Sequence, residues 1–448
     1  VELPIPLIDR LTKLDGFDTP AFLQAHDCEP PVSVRFNPHK PLISFTHGFD
    51  GRVPWSSRGF YLPHRPKFTL DPALHAGAYY VQEASSMFVE HAIGSLLGDA
   101  KGLMALDLCA APGGKATLLA SMPQFGMVLA NEVVRARSGI LCENAVKWGD
   151  PKVMVSNNDP AAFSSLGPCF DVMLVDAPCS GSGMFRKDPD ALKEWSLHHV
   201  QLCSQRQKRI LADALPSLRP GGLLVYSTCS YSPEEDEDVL EWIMQHEDYR
   251  PLSLDPDPQW GIQMTRSING ALGYRFFPDK VRGEGFFLAC FSKGALDMPG
   301  DVLEAKPRSS SSHDKRLNGW VDAAADYRVR EKSGNLFLLP SGLEHRVMEL
   351  DKQLNLRKSG VKAGTLIRDE LVPDHELALS RYLSGDSPFI ELDLPNALKY
   401  LRKQEILPQV PGRGWFVVRH QGLALGLVKH LGNRVNNYYP ASWRILMS

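Results

Sequence analysis

The sequence predicts an α/β protein organised around a mostly parallel sheet, on three observations. Between residues 99 and 291, apolar runs of strand length alternate with helical patterns, which implies a sheet covered by helices on both faces. A tight turn, Asp107-Leu-Cys-Ala-Ala-Pro-Gly-Gly-Lys115, joins the first run directly to a helical pattern. The last two runs, near 274–277 and 286–291, are too close together for a crossover helix, so the far edge is expected to be antiparallel.

Taken in order, residues 1–98 read as a leading α+β domain, with a helix over 8–25 and an extended stretch at Val32-Ser-Val-Arg-Phe-Asn37. Asp71-Pro72 is a helix start, with the acid as cap and proline at the first helical position. Met87, Phe88, His91 and Leu96 fall at helical spacing, so 83–97 is expected to pack under the next strand. The core, 99–293, has strands at 103–108, 127–131, 153–156, 170–175 and 223–227, and helices at 116–121, 133–148, 197–215 and 233–245. Ser232, Pro233 and Glu235 give the last helix a capping-box signature. Residues 294–316, with Pro299-Gly300 and the serine run 309–312, read as a linker. A middle domain spans 317–385. Residues 386–448, with short strands broken by glycines, suggest a small β-barrel.

At 448 residues the chain suggests two to four domains, and its 43% hydrophobic and 23% charged residues are ordinary for a globular protein. No apolar run reaches the roughly 18–20 residues of a membrane span, and nothing at the start reads as a signal peptide. Eight cysteines without regular spacing form neither a disulfide framework nor a zinc site, so no metal is expected and a reducing cytoplasm is the expected setting. Net charge is only −3, but two segments are basic. Arg35, Lys40, Arg52, Arg58, Arg65 and Lys67 face only Asp50 within 31–68; Arg402, Lys403, Arg413, Arg419, Lys429, Arg434 and Arg444 face only Glu405 from 402 onward. Each is either a solvated face or part of a phosphate-binding track.

The 109–115 loop departs from the GxGxxG dinucleotide fingerprint but still lets backbone N–H groups approach a ligand. Glu132 ends the second strand, where an acid suits a ribose diol, and Asp159 follows the third, where an acid suits an exocyclic amine. A ligand with ribose and adenine but no phosphate fits these groups; S-adenosylmethionine is one. Asp176-Ala-Pro-Cys179 and Thr228-Cys229-Ser230 follow the fourth and fifth strands, next to Pro, Ser and Gly. Cys28, Cys142, Cys169, Cys203 and Cys290 read instead as small hydrophobes. Thiols suit a methyltransferase acting on pyrimidine C5. A thiolate adding to C6 makes C5 nucleophilic, an acid at N3 stabilises the charge on the ring, and a base removes the C5 proton afterwards.

These motifs resemble the Sun-type (Nol/Nop/Sun) RNA 5-methylcytosine methyltransferases, especially the bacterial RsmF group. The likeness rests on Gln82-Glu-Ala-Ser-Ser86, Asp107–Lys115, Asn131-Glu132, Asp176-Ala-Pro-Cys-Ser-Gly181 and Ser227-Thr-Cys-Ser-Tyr-Ser-Pro-Glu234, over about residues 30–291. Gly426-Leu-Val-Lys429 and Asn436-Asn437-Tyr-Tyr-Pro440 resemble the family's PUA-like RNA-binding tail. The resemblance implies a Rossmann-like class I methyltransferase core flanked by an α+β N-terminal domain and a small β-rich PUA-like C-terminal domain. It places S-adenosylmethionine on Cys109, Ala110, Ala111, Pro112, Gly113, Gly114, Lys115, Glu132, Asp159 and Asp176. It makes Cys229 the nucleophile, Cys179 the helper in product release, and Asp176 a contact to the target cytosine. Arg186-Lys187-Asp188-Pro189 looks like the family's substrate-side loop. Two positions depart from the family pattern: Ala116, where the backbone makes the contact, and Asp236, expected on an exposed helix without functional weight. The chain shows no long helical leader of the RsmB kind. The expected partner is RNA, 16S rRNA or a small ribosomal subunit particle, bound by a monomer that draws the base out of its helix or loop.

Three readings stay open on the residues. An RNA cytosine-C5 methyltransferase uses Cys229, whether on rRNA, tRNA or another RNA. A DNA-type cytosine methyltransferase would promote Cys179 instead. A non-catalytic RNA-binding assembly factor would need neither thiol.

Overall fold

The computed structural model describes residues 2–40, 45–246, 248–298, 314–368, 370–406 and 412–447. Most of the expected linker, including Pro299-Gly300 and residues 309–312, lies outside the described residues. Among them, ten strands form one sheet. Its central order is Val153–Ser156, Phe125–Asn131, Leu103–Asp107, Phe170–Asp176, Leu218–Thr228, Phe286–Lys293, Leu272–Phe276. The first five run parallel. The last two are antiparallel, as the short gap between them requires.

Along Leu103–Asp107 every residue is buried, and alternate side chains enter different cores. Ala105 joins one with Val128, Val172 and the helices Phe88–Leu97 and Gly114–Ser121. Met104 and Leu106 join the other with Leu129, Met173 and the helices Leu197–Ala214 and Glu237–Met244. A period-two pattern buried on both sides thus shows as a continuous apolar run in the sequence. Strand order reverses between Leu103–Asp107 and Phe170–Asp176, so the loops following these strands meet at one carboxyl edge.

The leading segment contributes a three-stranded antiparallel sheet, Gly59–Leu62, Val32–Phe36 and Tyr79–Val81. The expected helix over 8–25 is two helices, Ile5–Leu11 and Thr19–His26, separated where Gly16 takes a φ of +72°. Asp71 caps its helix by accepting from Ala73 N–H at 2.9 Å, although that helix is only Pro72–His75. The 83–97 stretch opens with a 3-10 turn, Ser85–Met87, because the Glu83 carboxylate holds the Ser85 and Ser86 N–H groups at 2.9 Å each.

The middle stretch does more than connect. Leu356–Lys358 extends the central sheet, antiparallel to Val153–Ser156, and Leu343, Val347, Leu350 and Leu354 complete its second core. Beside it stands a four-stranded antiparallel sheet, Tyr327–Lys332, Asn335–Pro340, Val361–Ile367 and Glu370–Pro373. At the end of the chain, Phe389–Glu391, Gly414–His420, Leu423–His430 and Val435–Asn437 form a four-stranded sheet covered by Leu394–Leu401. Among the described residues its pairing runs from one edge strand to the other, where a small β-barrel was expected. Ala76 of the leading segment enters that module's core, and Tyr439 Oη lies 3.3 Å from His75 Nδ1.

Expectations about charge need correction. Arg35 is buried: its guanidinium donates to Gln82 Oε1, Thr117 Oγ1, Gly114 O and Ser121 Oγ, tying the leading sheet to the Gly114–Ser121 helix. Lys40 donates to the carbonyls of Ala76 and Lys147, and burial pulls its ammonium down to about 7. Neither can follow phosphates. Arg52, Arg58, Arg65 and Lys67 are exposed, as are Lys403, Arg413, Arg434 and Arg444. Cys28 is also exposed, against the reading of it as a small hydrophobe.

Candidate active site

The loop after the first strand is fixed from behind. Gly113 takes a φ of +114°, a backbone conformation that a side chain resists, and the helix begins at Gly114. Ala110 N–H donates to Asn131 O at 2.8 Å, and Arg137 and Asn144 donate to the carbonyls of Ala111 and Pro112. Lys115 reaches back to Asp176 at 2.7 Å; burial opposes its charge, yet this ion pair outweighs burial and lifts the ammonium above its ordinary value. Asp176 also accepts from Ser227 Oγ at 2.9 Å, joining the ends of the fourth and fifth strands.

Two adjoining cavities open on this edge. One of about 510 Å³ is lined by Cys109, Ala111, Glu132, Asp159, Asp176, Cys179 and Cys229, among others. The second, about 470 Å³, is lined by Asp107, Cys109, Ala110, Ala111, Pro112, Gly114, Lys115, Asp176 and Cys229, with Tyr80, Met184 and Phe286 on the far side. Every expected site residue except Gly113 lines one or both. Asp176 and Cys229 belong to both.

Cys179 and Cys229 face each other with 3.0 Å between their sulfurs. The contact with Cys229, together with burial, pushes the Cys179 thiol well above the usual thiol range. Cys109 is raised too, by burial and by Asp107, which suits an inert wall thiol.

Sequence reasoning missed Asp107 as a site residue. It is fully buried, neither carboxylate oxygen has a hydrogen-bond partner among the described residues, and burial pushes it up to about 8. The signal was there: an acid closing a five-residue apolar strand is costly unless something meets it. An unmet buried acceptor in a cavity wall fits a ligand that brings an ammonium group. S-adenosylmethionine carries one, along with the ribose and adenine that Glu132 and Asp159 suit, so the residues present fit that cofactor. Arg206, Arg209 and Ile210 also line the larger cavity; they arrive on the Leu197–Ala214 helix, and no sequence motif marked them.

In the 186–189 stretch, Arg186 is held by Glu284, with contacts of 2.9 and 3.1 Å, donates to Gly283 O and Ala25 O, and with Lys187 lines a separate cavity. Asp236, expected to be exposed, is fully buried, accepting from Thr228 Oγ1 at 2.7 Å and pairing with Arg275 at 3.0 Å. The expected capping box is likewise absent: the helix starts at Glu237, and Glu235 turns inward.

The sheet order and the loop set define a class I S-adenosylmethionine-dependent methyltransferase core, here joined to a PUA-like module. Family models agree along most of the chain. The 16S rRNA methyltransferase RsmB/F model matches residues 95–292, the N-terminal domain of 16S rRNA methyltransferase RsmF matches 3–84, and the methyltransferase RsmF PUA domain matches 387–445. Ribosomal RNA small subunit methyltransferase F of Vibrio cholerae serotype O1 is 30% identical over 98% of this chain and 97% of its own length. The protein of the same name in Vibrio vulnificus is 31% identical over 87% of this chain and 84% of its own. Among solved structures, a methyltransferase homolog from Pyrococcus horikoshii is 31% identical with a TM-score of 0.50, covering 65% of this chain and 100% of that one. NSun6 from the same organism, at 20% identity and a TM-score of 0.54 over 66% of this chain and 98% of that one, shares the fold. The chain belongs to the RsmB/F methyltransferase family. It is an S-adenosylmethionine-dependent RNA cytosine-C5 methyltransferase.

Proposed function

We propose that this enzyme methylates C5 of a cytosine in 16S rRNA, with Cys229 as nucleophile, Cys179 as the group that frees the product, and Asp176 as the contact to the base. The observation that carries this reading is the facing pair of thiols, Cys229 in the wall that two cavities share and Cys179 in the wall of the larger. S-adenosylmethionine, held by the 109–115 loop, Glu132, Asp159 and Asp107, supplies an electrophilic methyl group. The Cys229 thiolate adds to C6, which places the electron pair at C5 for transfer. Asp176, already joined to Lys115 and Ser227, is held where it can hydrogen-bond the ring as charge builds. Cys179, whose thiol is pushed up, keeps its proton until the Cys229–C6 bond must break. The C5 proton then goes to a base, the electron pair reforms C5=C6, and Cys229 departs as thiol with the proton that Cys179, 3.0 Å away, hands to it.

On this reading residues 1–98, 99–293, 317–385 and 386–448 act as RNA-binding domain, catalytic core, middle domain and PUA-like domain of a monomer working in the cytoplasm. Among the described residues no helix is long and apolar enough to cross a membrane, and no cluster of three or more candidate metal ligands occurs. Bisulfite sequencing of total RNA from cells lacking the gene tests the substrate. A cytosine mark lost from 16S rRNA bears the reading out; one lost from tRNA instead moves the enzyme to the other RNA class.

A further inference from the structure

Glu235 lies seven residues beyond the fifth strand and is fully buried, in the wall of neither cavity. Its carboxylate accepts three short hydrogen bonds. Oε1 takes the Ser180 N–H at 2.7 Å, and Oε2 takes the Ser180 hydroxyl at 2.5 Å and the Ser230 hydroxyl at 2.6 Å. Ser180 immediately follows Cys179, and Ser230 immediately follows Cys229. One side chain therefore ties together the two segments that carry the thiols. Gln207 backs the arrangement from the Leu197–Ala214 helix, donating to Pro178 O at 3.1 Å and lying 3.4 Å from Glu235 Oε1.

The neighbouring acids differ in kind. Asp236 and Glu237 both meet the buried guanidinium of Arg275, whereas no ion pair reaches Glu235 among the described residues. A buried carboxylate without a cation is costly to keep. Neutral groups would hold two loops together more cheaply, so a carboxylate in this place is best explained by what it positions.

We infer that Glu235 is a positioning residue of the methyl-transfer reaction, clamping Ser180 and Ser230 so that the Cys179 and Cys229 thiols stay in register. The inference rests on the cysteine roles proposed above. With the clamp loosened, Cys229 still adds to the base, but Cys179 no longer meets the adduct, and release slows.

The test uses the full-length enzyme carrying Glu235→Gln, which keeps the size of the side chain and the Ser180 N–H bond but puts an amide donor against two hydroxyls. Two readouts are taken beside KM for S-adenosylmethionine. One is the rate at which diamide closes a Cys179–Cys229 disulfide without RNA, two thiols being oxidised as the diazene is reduced to the hydrazine. The other is the fraction of enzyme held as covalent RNA adduct during turnover. Expected are a fall in disulfide closure of about tenfold, the scale of one lost charge-assisted hydrogen bond, a rise in adduct, and an unchanged KM. Unchanged closure overturns the clamp. Slower closure without adduct accumulation upholds the clamp and overturns the roles given to the two cysteines. Ser180→Ala, which removes one hydroxyl and buries no new polar group, decides the matter if Glu235→Gln folds poorly: the same two shifts, smaller, uphold the clamp, and unchanged closure overturns it.

Discussion

Asp107 holds an ionisable group to which no described residue offers a hydrogen bond, and burial pushes it up to about 8. An acid raised in the folded state stays protonated there at pH values where the unfolded chain ionises it. The cost to the fold therefore grows as pH rises from its ordinary value near 3.8 and levels off beyond about 8. Asp107→Asn is expected to raise the thermal midpoint of the cofactor-free enzyme at pH 8 and to leave it unchanged at pH 4. The same change is expected to weaken S-adenosylmethionine binding by about tenfold or more in calorimetry, the loss of a charge-assisted contact. At this scale the sequence was informative wherever chemistry and strand ends coincided: Cys179, Cys229, Asp176 and Glu132 all converge on the predicted edge. It misled wherever a charge turned inward. Arg35, Arg186 and Asp236 look like surface groups when counted along the chain, and only their partners, distant in sequence, show them to be buried struts.

Elements place these residues through close backbone approach. Gly183 sits between the Cys229 loop and Gly285, where an added Cβ would lie 2.6 Å from Gly285 O and 2.8 Å from Cys229 O. Both are backbone atoms and one belongs to Cys229, so Gly183→Ala is expected to cost about 1–3 kcal/mol in urea unfolding and to lower kcat more than it raises KM. Arg35 acts on the other side of the site. Arg35→Met leaves Gln82 and Thr117 without their buried partner, and a loss of about 1–3 kcal/mol is expected, with weaker cofactor binding as the Gly114–Ser121 helix loosens. The central strands were read to within two residues because burial on both faces leaves no polar interruption, except Leu218–Thr228, which begins five residues before the expected 223 because Arg219 and Pro220 break its apolar run. The start of the Glu237–Met244 helix was not: Ser232, Pro233 and Glu235 satisfy a local capping rule, and the long-range bonds of Glu235 override it.

Across the whole molecule, the flanking parts are built onto the core. The middle stretch supplies a sheet strand and five buried apolar side chains to the second core, and the C-terminal module closes over Ala76 and His75. These contacts were illegible in the sequence because each is a short pairing between segments far apart along the chain, with no pattern of its own. Exposed cations remain for RNA on the C-terminal module, and charge reversal of Arg413 and Arg434 together is expected to weaken RNA binding and flatten its dependence on salt by about two counterions, leaving S-adenosylmethionine affinity unchanged. The central claim is that Cys229 carries the base and Cys179 lets it go. Denaturing electrophoresis of the enzyme incubated with RNA and S-adenosylmethionine reads it directly. Cys179→Ala should accumulate a covalent protein–RNA band, and Cys229→Ala, alone or added to it, should show none; a band that persists in Cys229→Ala would contradict the account.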